Sequence, residues 1–173
     1  MRALFVARMQ PLHLGHLYAI KKILDKYDSV LIAIGSSQAS RERSNPFSFE
    51  ERKEMLTAVL KSEKILDRCD VAGIPDVNDD AVWRGLIEKY DFDVVITGNN
   101  WTRRCLSPDY RVEMPDFLEP KKYNATRIRN LIRQGRYWKG LVPGKVFDFA
   151  AEKIRSGKLK MEGKNEKADD WQY

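Results

Sequence analysis

The chain has 173 residues, 43% of them hydrophobic and 32% charged, with a formal net charge of +6 at neutral pH. That length supplies one well-packed domain and leaves no room for two, and the balance of apolar and charged residues excludes a disordered chain. No apolar run is long enough to cross a bilayer, and "MRALFVARMQ" sets arginines on both sides of a short apolar stretch, unlike an export signal, so a cytoplasmic location is expected.

In chain order, short apolar runs alternate with segments of helical period, the pattern of β-α-β units in a parallel sheet. "ALFVA" at 3–7 is expected to be a strand. "LGHLYAIKKILDKY" at 14–27 follows as a helix with Leu17, Ile20, Ile23 and Leu24 on one face. "SVLIAIG" at 29–35 is almost continuously apolar, as a strand covered on both faces should be. Ser48 and Glu51 form a capping-box pattern opening a helix from Phe49. A weaker strand at 69–75, a helix at 79–90 and a strong buried strand at 93–98 come next.

Residues 99–123 show no period beyond one short edge strand near "YRVEM". Asn124 caps a helix that Gly135 stops, and 144–155 forms the last helix. The expected fold class is thus α/β, a doubly wound, Rossmann-like parallel sheet with helices on both faces, in a single domain over 1–156. The polar segment 157–173 is expected to be a frayed tail. Cys69 and Cys105 match no metal-ligand spacing and are expected to be buried free thiols.

A sheet of this kind binds ligands at the carboxyl ends of its strands. The first strand runs directly into "RMQPLHLGH", Arg8 to His16, which holds both histidines of the chain. Gly15 leaves backbone open to close approach, the next helix brings the positive end of its dipole, and His13 and His16 at i, i+3 can offer two nitrogen donors to one group of oxygens. This is the chemistry of an anion site. A lone histidine would fit a surface or core imidazole equally well, and a metal site would need a third ligand that the neighbourhood lacks, so no protein-held metal is expected.

"ARMQPLHLGH" resembles the opening of the nicotinamide-nucleotide adenylyltransferases, members of the H-x-G-H nucleotidyltransferase superfamily. "YNATRIR" at 123–129 resembles a second superfamily motif, supplying Thr126 and Arg129. "IGSSQAS", "NPFSFEER", "AVWRGLI" and "VITGNN" resemble segments of the archaeal branch in the same order. Ala7, Asn124 and Ala125 depart from the usual glycine, serine and glycine, and Asn100 with Trp101 replaces a more familiar Asn-Pro.

The resemblance implies adenylyl transfer from ATP to nicotinamide mononucleotide, with nicotinic acid mononucleotide as a further acceptor, giving NAD and pyrophosphate. His13 and His16 would hold the ATP phosphates. Arg8 and Arg129 would clamp the leaving pyrophosphate, and Thr126 and Arg127 would contribute to the triphosphate site, although a cap and a surface arginine look the same in sequence. Mg2+ would arrive with ATP, held by phosphates and water.

Trp83 resembles the family tryptophan that stacks on the nicotinamide ring, and also fits a core position beside Leu86 and Ile87. Asp76 and Asp80 are candidates for ribose or carboxamide contacts, or ordinary capping acids. Gly98 and Asn99 stand where backbone approaches a nucleotide, and Arg41 or Arg43 is a candidate for the mononucleotide phosphate. A homo-oligomer, a hexamer in the archaeal branch, is implied as well. The alternatives are another H-x-G-H enzyme acting on pantetheine phosphate or flavin mononucleotide, and a nucleic-acid-binding module suggested by the +6 charge. "RMQP" and Trp83 argue against the first, and the scatter of the basic residues along the chain argues against the second.

Overall fold

The computed structural model describes residues 1–161. Five strands form one sheet: β1 (Arg2–Ala7), β2 (Ser29–Ile34), β3 (Cys69–Gly73), β4 (Val94–Ile96) and β5 (Arg111–Glu113). Their order is β3-β2-β1-β4-β5 and every pairing is parallel, with Ala3 opposite both Val30 and Val94. Among the described residues six α-helices surround it: α1 (Leu14–Lys26), α2 (Phe49–Ser62), α3 (Asp80–Ile87), α4 (Asn100–Leu106), α5 (Ala125–Arg133) and α6 (Gly144–Arg155). Among the described residues no helix is long and apolar enough to cross a membrane.

The period-2 alternation of strand side chains divides the core between the two faces of the sheet. Ala3, Phe5, Val30, Ile32 and Ile34 pack with α1, α2, α5 and α6, whereas Leu4, Leu31, Ala33 and Val95 pack with Trp83 and Ile87 of α3 and with Cys105 and Leu106 of α4. Burial on both faces is why "SVLIAI" carries no polar residue beyond its first position. Cys69 and Cys105 are both free and buried.

Between β1 and β4 the winding changes direction, so the loops leaving these two neighbouring strands diverge and open a crevice at their carboxyl ends. The expected capping box is present in full: Ser48 Oγ accepts from Glu51 N at 3.3 Å, and Glu51 Oε2 accepts from Ser48 N at 2.9 Å. At the end of α5, Gly135 adopts φ +62°, and the bonds Gly135 N to Ile132 O and Arg136 N to Leu131 O close a Schellman turn.

Three expectations need revision. The irregular segment 99–123 contains α4, capped by Asn99, whose Oδ1 accepts from Thr102 N at 3.0 Å. Strands β3 and β4 stop short of Ile74 and Thr97, because those residues already turn into the loops bordering the crevice. The chain also stays packed past 156, since Leu159 and Met161 are buried in the core on the sheet face covered by α1, α2, α5 and α6. The rest of the expected tail, 162–173, lies outside the described residues.

Candidate active site

The turn from β1 to α1 is held in place by its own buried side chains. Met9, at φ +53°, and Leu12 anchor it in the core. The buried Gln10 pairs with the Phe47 backbone in both directions, Nε2 to O at 2.8 Å and N to Oε1 at 3.0 Å. His13 then caps α1. Its Nδ1 accepts from His16 N at 3.2 Å, and His16 Nδ1 accepts in return from His13 N at 3.3 Å, with the two rings stacked 3.6 Å apart.

This reciprocal cap fixes the tautomer. A neutral imidazole that accepts at Nδ1 carries its proton at Nε2, so each histidine keeps one N–H donor. Burial lowers His16 to about 4, and burial, then His16 and Arg129, hold His13 well below the ordinary histidine range. Both rings are therefore neutral donors at neutral pH.

They line a cavity of about 730 Å³ at the crevice. Arg8, Gly15, Asp76, Trp83, Gly98, Asn99 and Arg129 line it too, so most of the residues expected at a site come together. Arg129 is 1% exposed; its Nη1 donates to Gln10 O at 2.7 Å and its Nη2 to Thr126 Oγ1 at 3.0 Å. The structure thus ties the "TRIR" helix directly to the histidine turn.

Several candidates are placed differently. Thr126 is not in the cavity wall; its hydroxyl supports Arg129 from behind. Arg127 turns to the Lys121 carbonyl at 3.2 Å and lines a separate shallow groove on the outer side of α5. Asp80 is also outside the wall, where it accepts from Trp101 Nε1 at 2.9 Å. Arg41 and Arg43 do not line the cavity either. Arg41 makes a two-pronged pair with Glu51 at 2.6 and 2.8 Å, and the Arg43 carbonyl accepts from Arg133.

Both glycines serve packing. A Cβ on Gly15 would lie 3.0 Å from His13 Nδ1 and 3.1 Å from Tyr123 Cβ, and one on Gly98 would lie 2.7 Å from Phe117 Cζ. At 15 a Cβ would crowd the His13 ring that folds back onto its own helix, so the ring or Tyr123 would have to give by a few tenths of an ångström.

Trp101 and Phe117 are wall residues that the motifs did not single out. Trp83 is only 3% exposed and meets Trp101 edge-on at 4.6 Å, so the half-buried Trp101 forms the more open aromatic surface. Its position just beyond the carboxyl end of a strand was the available signal. Asp76 is steadied by Gln38, whose Oε1 accepts from Asp76 N at 3.0 Å. Among the described residues no group of three or more His, Cys, Asp or Glu is arranged to hold a metal.

Residues 4–135 match the cytidylyltransferase-like family model. Over 163 residues the chain is 37% identical to the nicotinamide-nucleotide adenylyltransferase of Methanococcus vannielii, covering 92% of this chain and 94% of that one. It is 37% identical over 155 residues to the enzyme of the same name from Saccharolobus solfataricus, covering 87% and 90%. Among solved structures, the bifunctional NMN adenylyltransferase/ADP ribose pyrophosphatase of Francisella tularensis has a similar fold, with TM-score 0.79 and 24% identity over 89% of this chain. The chain spans about half, 49%, of that larger protein. The histidine turn, the helix that braces it and the matched length agree: this chain is a member of the cytidylyltransferase-like family, in its archaeal nicotinamide-nucleotide adenylyltransferase branch.

Proposed function

We propose that the chain transfers the adenylyl group of ATP to nicotinamide mononucleotide, forming NAD and pyrophosphate. The observation that carries this reading is the reciprocally capped histidine pair, two neutral N–H donors facing a cavity shared with Arg8 and Arg129. In the reaction, a 5′-phosphate oxygen of the mononucleotide bonds to the α-phosphorus of ATP while the bond from that phosphorus to the bridging oxygen breaks. The electron pair leaves on pyrophosphate.

The site supplies positioning and charge stabilisation to such a transfer. His13 and His16 donate from Nε2 to oxygens on the reacting phosphate, where negative charge grows. Arg8 and Arg129 face the leaving pyrophosphate, with Arg129 held rigid by Gln10 and Thr126. Asp76, in the loop after β3, and the aromatic pair Trp83 and Trp101 of α3 and α4 receive the ribose and the base of the mononucleotide, a cationic ring over indole being favourable.

Mg2+ fits this site as a passenger on ATP: the histidines share the wall with Arg8 and Arg129, N–H donors that would attract phosphate oxygens and leave the cation to those oxygens and water. When bound it neutralises phosphate charge. The same reading places the enzyme in the cytoplasm as a homo-oligomer.

Purified protein given ATP, Mg2+ and either nicotinamide or nicotinic acid mononucleotide should release pyrophosphate with equimolar dinucleotide. Absence of product from both acceptors refutes the proposal, and the ratio of the two rates sets the acceptor preference.

A further inference from the structure

Arg52 sits one residue beyond the capping-box glutamate of α2, where the sequence pattern suggests a solvated position. It is instead 1% exposed. Its Nη1 donates to the carbonyls of Arg8 at 2.8 Å and Gly35 at 2.7 Å, its Nη2 to that of Ser36 at 2.9 Å, and its Nε to that of Ser48 at 3.2 Å. One guanidinium therefore ties the exit of β1, the exit of β2 and the start of α2 together.

All four acceptors are uncharged. Among the described residues no carboxylate pairs with Arg52, and Asp76 and Glu50 act on it only through space. Burial and the neighbouring Arg8 lower its ionisation to about 10, which leaves it charged at neutral pH. Three of the carbonyls it holds belong to Arg8, Gly35 and Ser36, which are themselves cavity-wall residues; Ser36 keeps a left-handed φ of +51°. A buried cation held only by carbonyl dipoles is costly, and because Arg52 is shielded from solvent its potential reaches the adjacent cavity wall through protein with little screening.

We propose that Arg52 is a positioning residue for nucleotide phosphate: it sets Arg8, Gly35 and Ser36 at the cavity wall, and the bound phosphates supply the counter-charge it lacks. The proposal rests on the reading of the cavity as an ATP site. Its two components separate chemically. Lysine keeps the charge but cannot reach four carbonyls at once, whereas methionine keeps the stem and removes both.

The test compares wild type, Arg52→Lys and Arg52→Met, measuring melting temperature, Kd for MgATP by calorimetry, and kcat. Below the melting temperature of each variant, Arg52→Lys should bind MgATP within about 3-fold of wild type yet lose at least about 10-fold in kcat, because Arg8 is no longer held. Arg52→Met should lose at least about 10-fold in MgATP affinity as well.

Lower melting temperatures with wild-type Kd and kcat in both variants would overturn the proposal and leave Arg52 a scaffold residue. Equal loss of MgATP affinity in both would also overturn it, because charge would then contribute nothing. If Arg52→Met does not fold, Arg52→Lys decides alone, an unchanged kcat counting against the proposal. If wild type binds MgATP but forms no dinucleotide, the functional reading fails while the calorimetry still decides Arg52's charge. If wild type does not bind MgATP, both fall.

Discussion

Two stacked imidazoles that cap their own helix are committed at Nδ1, so their chemistry is confined to Nε2–H. At pH 7, nitrogen NMR should find both rings neutral with the proton on Nε2, and His16 should not protonate until near pH 4. An imidazolium at pH 6 would contradict the assigned tautomer. The linkage has a definite sign. An unfolded histidine near its ordinary 6.5 takes up protons that the folded ring refuses, so the pair's contribution to stability falls as pH drops from about 6.5 toward 4.

Gly15→Ala forces a Cβ against the His13 ring and Tyr123, and neither neighbour is the far end of a flexible chain. Activity should drop at least about 10-fold with a melting loss on the order of 1 kcal/mol. A variant with wild-type kcat would show that His13 does not need its folded-back rotamer. The histidine pair was legible in H-x-G-H, because spacing and the strand before it already aim both rings at one place. Arg52 was not legible: after two glutamates it looks like a surface charge, and only the folded chain brings three carbonyls from distant segments to it.

Among the elements, α2 is tied at its start by Glu51. Burial would raise this carboxyl, but hydrogen bonds from Arg41 and the Ser48 backbone, with Lys153 of α6 beside it, hold it at about 2. Because the folded value lies below the unfolded one, the stabilisation is complete above about pH 4.5 and is lost as pH falls toward 2. Glu51→Gln should cost roughly 1 to 3 kcal/mol at pH 7, reduced because Arg41 is half exposed, and the gap between variant and wild type should close by about pH 2. A gap that is flat with pH would mean that packing, not charge, holds this corner.

The cap at Ser48 and the Schellman stop at Gly135 were visible in sequence because each depends on a residue type at a fixed local offset. Helix α4 was hidden: at Asn100–Leu106 it is too short to show a period, and its only local mark is the Asn99 cap.

For the whole molecule, alternating apolar runs were enough to infer a doubly wound sheet, but no local pattern encodes the order β3-β2-β1-β4-β5. That order places the loops after β1 and β4 side by side, and with them the histidine turn opposite Asn99 and Trp101. Contacts across the crevice, such as Arg129 to the Gln10 carbonyl over 119 residues of chain, follow from topology and are invisible to spacing.

The neutral histidine pair is expected to stabilise adenylyl transfer in this cavity. The most direct test is NAD formation from ATP, Mg2+ and nicotinamide mononucleotide by wild type and His16→Ala, with circular dichroism confirming the fold of each. Wild type should turn over, and the variant should lose about 100- to 1000-fold in kcat while remaining folded. A folded His16→Ala protein that makes NAD at the wild-type rate would contradict the claim.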